Sequence, residues 1–220
     1  MTSTAFPRSP RLLRGGLVLV DLYTSQIQRV VVLQYNPDTM TRTLQVQGAS
    51  GEAADHLEAL RLKGPPVETI KLDAELDATD KLEFPRENPD TVTYGILPEL
   101  AAIETIVYPP SSQVQANRTQ AMAGVMEILP LAAPLQIFVF GKHRALPVRI
   151  TEMTVTEEAF TPELAPMRAK VSLGMRVLGV NDLLFDNRGG SLFMTQYQRK
   201  ERWAQAQNGA LISLGLTRLP

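Results

Sequence analysis

Several stretches of the chain alternate apolar and polar residues with the period of a half-buried strand. In the clearest, Ala169, Val171, Leu173, Met175 and Val177 fall on one face and Arg168, Lys170, Ser172 and Arg176 on the other, which predicts a strand over Met167 to Leu178. Ile70, Leu72, Ala74 and Leu76 oppose Lys71, Asp73, Glu75 and Asp77 in the same way, so Val67 to Asp77 reads as a long strand with one charged side. Leu17 to Tyr23 and Arg29 to Tyr35, rich in Val, Leu and Ile, flank the polar Thr24-Ser25-Gln26 as the arms of a hairpin. Pro37 between Asn36 and Asp38 makes a turn, and Met40 to Gln47 returns from it, which predicts a three-stranded meander.

Further along, Leu135 to Phe140 is a short apolar run ending in a turn at Gly141-Lys142, and Val148 to Glu157 continues the strand pattern. The apolar phase shifts between Val148/Ile150 and Met153/Val155, as a β-bulge requires. Pro162 and Pro166 bracket the next loop, Lys81 to Asp90 forms another, and Gly48 to Leu62 reads as an exposed connection. Helical spacing is confined to two places. Pro98 and Glu99 open a helix over Leu97 to Tyr108, with Leu100, Ile103 and Val107 on one face. Gly189-Gly190 acts as a hinge before Ser191, an N-cap for a largely polar helix that carries Phe193, Tyr197 and Trp203 and ends near Asn208-Gly209. Ser111 to Met126 is weakly periodic and fits either a long loop or a short helix. The fold class is therefore mainly β with α, an α+β fold. It divides into a flexible N-terminal arm (1–14), a β domain (15–188), and a C-terminal helix and tail (189–220).

Composition narrows the functions that this frame can carry. A formal charge of -1 leaves no basic field for nucleic acid or an anionic membrane, so a partner is recognised by shape. With no cysteine there are no disulfides, thiolate metal sites or thiol nucleophiles, which fits synthesis and assembly in the cytoplasm. The basic N-terminus leads into an apolar run broken by Asp21 and has no small-residue cleavage site, which argues against a signal peptide. No stretch reaches the apolar length of a membrane helix, so no direct membrane insertion is expected.

Candidate chemistry is sparse. His56 and His143 sit in separate loops without metal-binding spacing, so neither is assigned a ligand or catalytic role. Asp73, Glu75 and Asp77 lack the turn glycine of a calcium loop and read as the wet side of a sheet. Glu157-Glu158 at a strand end reads the same way. Serines beside glycines, in Ser172-Leu-Gly174 and Gly189-Gly-Ser191, do not form a nucleophile elbow, and no phosphate-binding glycine loop occurs. The basic cluster Arg199-Lys200-Glu201-Arg202 beside Trp203 reads as a solvated or subunit-facing surface. No enzyme, cofactor or metal is expected. An enzyme or a small-molecule-binding β-barrel stands as the rival reading, to be told apart by a closed apolar pocket.

Four phrases carry a family resemblance: Val32-Leu-Gln-Tyr-Asn-Pro-Asp-Thr-Met, Leu60-Arg-Leu-Lys-Gly-Pro-Pro-Val-Glu-Thr-Ile-Lys-Leu, Phe140-Gly-Lys-His-Arg-Ala-Leu-Pro-Val-Arg-Ile and Arg168-Ala-Lys-Val-Ser-Leu-Gly-Met-Arg-Val-Leu. Together they resemble the tube-domain proteins of contractile injection systems, the phage tail-like particles, and in particular the baseplate component that joins the inner tube to the spike hub. The resemblance implies a phage tail-tube-like β-barrel with a flanking helix and a C-terminal helix, assembled as a hexameric ring around a lumen. It also implies an inner tube protein, a spike or hub protein, and baseplate wedge or sheath proteins as partners, in a particle that is released or anchored. The inner tube subunit itself is the nearest alternative. Relatives often continue into a peptidoglycan-type LysM module; the chain past Tyr197 is too short for one, so such a clamp is absent or comes from another chain.

On this reading Lys71, Asp73, Glu75 and Asp77, or alternatively Lys170, Ser172 and Arg176, line the lumen. Arg11 and Arg14 of the arm, Glu52 and Asp55 of the long connection, and Phe193, Tyr197 and Trp203 of the terminal helix are the candidate stacking contacts.

Overall fold

The computed structural model describes residues 12–48, 61–124, 133–183, 185–207 and 209–218. Seven strands form one antiparallel sheet: β1 (Gly16–Val20), β2 (Ile27–Val32), β3 (Met40–Gln45), β4 (Val67–Asp77), β5 (Leu135–Val139), β6 (Ala145–Phe160) and β7 (Pro166–Val177), in the order β2-β1-β5-β6-β7-β4-β3. Helices α1 (Thr79–Leu82), α2 (Pro89–Tyr94), α3 (Leu97–Glu104) and α4 (Ser111–Met122) lie between β4 and β5, and α5 (Arg188–Ala206) follows β7. The fold is α+β, as the patterning predicts.

The sheet is curled but open, which corrects the expected β-barrel. Leu17, Leu19, Val31 and Leu33 from one end share a core with Ile70, Leu72, Val171 and Met175 from the other, so the two halves face each other across buried side chains. Helix α3 adds Leu100 and Ile103 to the same core. No ladder joins β2 to β3. Where closure would begin, the side-chain amide of Gln34 makes both bonds of a rung, donating to the Asp77 carbonyl at 2.7 Å and accepting from the Asp77 N–H at 3.0 Å. The chain then turns at Asn36, whose side chain bonds Gly15 N–H and the Leu13 carbonyl. It returns as β3 on the outer side of β4, with Met40 opposite Leu72 and Gln45 opposite Val67. The predicted three-stranded meander therefore splits: β1 and β2 form the hairpin, and β3 belongs to the far edge.

The β-bulge is present, as a register shift between Ile150 and Glu152 in the β6–β7 ladder. It returns Met153 and Val155 to the core face opposite Leu173 and Val171. The helical region is richer than its sequence pattern. The segment read as a loop over 81–90 begins in α1 and ends in α2, and Ser111–Met122 is a helix with no buried residue. The helix expected to reach Tyr108 stops at Glu104, with Thr105 as C-cap. Between α2 and α3 the chain passes so close to β7 that a Cβ on Gly95 would stand 2.0 Å from the Pro166 carbonyl oxygen, and its φ of +60° is itself costly for any side chain.

At the C-terminal helix the cap is Asn187, whose side chain accepts from Gly190 N–H at 2.8 Å, rather than Ser191. Gly189 and Gly190, expected as a hinge, lie buried in the first turn. Gly189 packs where a Cβ would meet Leu183 and Leu135, so closeness of packing accounts for it.

Candidate functional site

The sheet has one face for the core and a second face that changes character from end to end. On β4 the row Ile70, Leu72, Ala74, Leu76 is buried, and Lys71, Asp73, Glu75, Asp77 point the other way. The β4–β7 ladder sets Asp73 opposite Ser172, Glu75 opposite Lys170 and Asp77 opposite Arg168. The two alternative rows proposed from sequence are therefore one surface. Strand β6 extends it, with Glu152 opposite Gly174, Thr154 opposite Ser172, Thr156 opposite Lys170 and Glu158 opposite Arg168. Strand β3 adds Thr41 and Thr43, opposite Lys71 and Thr69.

Acids and bases on this face are matched across the strands. Lys170 Nζ lies 2.9 Å from Asp73, and the Ser172 hydroxyl donates to the same carboxylate at 2.6 Å. Arg168 Nε donates to Asp77 at 3.0 Å, while the backbone N–H and hydroxyl of Thr79 hold the other Asp77 oxygen. Lys71 stands 4.0 Å from Glu152, both well exposed. Arg176 turns out of the row to bond Asp182 at 2.7 Å. A cleft of ≈ 450 Å³ opens at the Asp77 end, lined by Tyr35, Glu75, Asp77, Glu158, Arg168 and Lys170 together with Leu76 and Ala169.

The electrostatics follow from these pairs. The Ser172 hydroxyl and then Lys170 hold the Asp73 carboxyl below the usual aspartate range, and Thr79, then Arg168, do the same for Asp77 against a desolvation cost. The hydrogen bond to Asp73 pushes the Lys170 ammonium up. Tyr35, beside the cleft, is pushed up by burial and by Asp80. A carboxyl acting as a general acid near neutral pH must have its pKa raised. Asp21, Glu68, Asp73 and Asp77 all move the other way and stay charged. Ser172 donates to Asp73, but that carboxylate is also paired with Lys170 and held below its usual range, which leaves it a poor base for activating a hydroxyl. The surface holds most of its cations in cross-strand pairs over hydrated strands, and its chemistry is that of a wetted, charged wall.

At the other end, the same face is apolar. Val20, Leu135 and Ile137 form a second core with Val18, Val139, Leu178, Leu183 and Leu192, so β1 and β5 are buried on both sides. Beyond them Val30 and Val32 of the edge strand β2 are half exposed.

The candidate stacking residues are scattered. Arg11, Glu52 and Asp55 lie outside the described residues, as does His56. Arg14 lines a groove of ≈ 430 Å³ with Arg29, Lys81 and Glu99. Phe193 packs against the main core and stacks obliquely on Tyr197, so it anchors α5 within the chain. Trp203 is half exposed and meets His143 edge to face. No group of three or more His, Asp or Glu that could hold a metal occurs among the described residues. None of the described helices is long and apolar enough to cross a membrane.

Sequence reasoning missed Glu68. It is buried at 5% exposure and lies between Arg42 Nε at 2.6 Å and Lys200 Nζ at 3.0 Å. The signal was available, because Glu68 shares parity with Ile70, Leu72, Ala74 and Leu76 and so stands in the apolar row.

No family model and no curated protein matches the chain. Among solved structures it is similar to a chain in the tail of an empty gene transfer agent particle with C6 symmetry, at 12% identity over 74% of this chain and 91% of that one, with a TM-score of 0.28. It is also similar to a chain in the virion of a native gene transfer agent particle, at 11% identity over the same shares and a TM-score of 0.27. Scores this low do not establish a common fold.

Proposed function

We propose that this chain is a structural component of a contractile injection system, a non-enzymatic subunit of a ring that connects the inner tube to the spike hub in the baseplate. The observation that carries this reading is the open sheet. Its terminal strands β2 and β3 have six residues each, and among the described residues the outer line of backbone N–H and C=O groups on either edge has no strand partner. A second copy can satisfy such groups by adding a strand, whatever its side chains. Repetition around a closed ring leaves no free edge. The sequence resemblance supports the same assembly.

Within that ring, the wall bearing Lys71, Asp73, Glu75, Asp77, Lys170 and Ser172 faces the lumen, with Arg176 at its margin tied to Asp182. Its pairing of acids with bases suits a conduit that must not hold a passing chain of either sign. Arg14, Tyr197 and Trp203, with the arm and the long connection, meet the rings above and below. Phe193 contributes by seating α5. Removal of residues 191–220 therefore costs folding stability as well as assembly, whereas removal of residues 1–14, which takes the Leu13 carbonyl from Asn36, is expected to impair assembly more than folding.

Electron microscopy of the assembled particle tests the proposal. A sixfold ring of this chain at the junction of tube and spike is expected. Copies repeated along the whole tube would make it the tube subunit, and a stable monomer holding a small molecule would overturn the reading. Charge reversal at Lys170 and Asp73 that leaves rings intact yet does not change cargo passage would remove the lumen assignment.

A further inference from the structure

Glu68 joins two elements that do not otherwise belong together. Its Oε1 accepts from Arg42 on the edge strand β3, and its Oε2 accepts from Lys200 on the terminal helix α5. The carboxylate is buried, while both cations are partly exposed. Its burial opposes ionisation, but the hydrogen bonds from Arg42 and Lys200 outweigh that cost and keep it charged. Helix α5 is anchored mainly through its first half, by Leu192 and Phe193. Strand β3 is laddered along one side, to β4. The second half of α5 rests on the turn after β5, where Trp203 meets His143 edge to face and Arg199 donates to the His143 carbonyl at 3.2 Å. Gln196, with its amide suitably oriented, bonds the same carbonyl and the Ala145 N–H.

We propose that Glu68 couples the docking of α5 to the order of the β3 edge. A buried ion with two counter-ions is compensated; with one withdrawn, the remaining pair keeps a charge that the interior does not solvate. Undocking α5 withdraws Lys200 and leaves Glu68 under-compensated, so opening β3, which lets water reach the carboxylate, becomes less costly. Fraying of β3 removes Arg42 and loosens α5 by the same factor, because coupling free energy is reciprocal. The terminal helix thereby governs an edge of the sheet through a shared carboxylate. The coupling is a property of the single chain and stands or falls apart from the ring assembly.

Hydrogen exchange on the full-length chain reads it directly, since local opening sets the exchange rate. Lys200→Met is expected to accelerate exchange of the β3 amides, residues 40–45, by about tenfold, a lost partner of a buried ion pair being at least that costly. Arg42→Met is expected to accelerate exchange over residues 196–206 of α5 to a similar extent. In a Glu68→Leu background, which removes the buried charge, Lys200→Met should no longer alter β3. The proposal is overturned if each substitution loosens its own element alone, or if Lys200→Met acts on β3 equally with Glu68 and with Leu at that position. Should Glu68→Leu fail to fold, the reciprocal pair in the parent chain decides the matter.

Discussion

The two ends of the sheet are built by opposite rules. Strands β1 and β5 are buried on both faces, between the main core and the smaller one under Leu183 and Leu192, and their sequences are nearly continuous apolar runs. Strands β4 and β7 bury one face and leave the other to a lattice of ion pairs. A strand enclosed on both sides can contribute only packing, because any polar group placed there must find an internal partner. A strand wetted on one side can vary that side without unfolding the protein. The difference separates the part of the molecule that holds the fold from the part free to do something with it.

The sharpest way to break that contrast is to empty the doubly buried end. Phe138 on β5 is 1% exposed and stacks on Phe140 with ring centroids 6.0 Å apart. Phe138→Ala should lower unfolding free energy by about 3–5 kcal/mol, through lost transfer energy and the cavity left behind. Denaturant melts of the two proteins would show it. A loss near 1 kcal/mol would mean that β5 is not the keystone its burial implies.

The next effect concerns the join between the two ends. Gln34 gives both hydrogen bonds of one rung to the Asp77 backbone, so Gln34→Ala removes a donor and an acceptor at once. A loss of roughly 1–3 kcal/mol is expected for two such bonds. Exchange should rise at Asp77 and in the turn after β2, with β5 unaffected. If β5 loosens as well, the two ends are one cooperative unit and the distinction between them is weaker than drawn.

The charged wall predicts a smaller and pH-dependent effect. The Asp73 and Asp77 carboxyls are held below their ordinary value of 3.8 by Ser172 and Thr79 first, with Lys170 and Arg168 adding to the shift. A depressed folded pKa contributes stability that is present above the unfolded value and is lost as pH falls through the folded one. Melting temperature should therefore decline as pH drops below about 4, and Asp73→Asn should flatten that decline. At neutral pH the same substitution should cost under about 1 kcal/mol, because the pair with Lys170 is half exposed and solvent-screened. A larger cost at pH 7 would make the wall structural rather than free.

How far these features could be read from sequence depended on whether a face was uniform. Period-2 alternation placed Ile70, Leu72, Val171 and Leu173 inside and Lys71, Asp73 and Lys170 outside, because a single wet face leaves a clean signature. The phase slip at Ile150 revealed the bulge for the same reason. Strand pairing was less legible. Nothing local in Met40 to Gln45 distinguishes pairing with β2 from pairing with β4, since the choice rests on Gln34 and Asn36 bonding distant backbone. Closure was not legible either, being a property of two edges. In the candidate site, the parity of β4 puts Glu68 in the buried row, but nothing local to it marks the cations that pair with it. Lys200, far along the chain on α5, gave no sign of its partner.

The smallest effect bears on what the open edge is for. Along β2, Val31 is buried while Val30 and Val32 are exposed at 54% and 55%, in continuity with the apolar side of β1. In an isolated chain Val32→Thr exchanges one exposed, β-compatible side chain for another of nearly equal shape, so its effect on unfolding should lie within about 0.5 kcal/mol. The same exchange at Val31 places a hydroxyl in the core without a partner and should cost about 1–3 kcal/mol. Denaturant melts at low protein concentration would separate them. Repeating the pair at high concentration makes the comparison informative, because a face covered in an oligomer is stabilised by mass action. If Val32→Thr stays neutral when dilute and becomes destabilising when concentrated, the valines beyond β1 are covered by a second copy. If it remains neutral throughout, the edge must meet its neighbour through backbone alone.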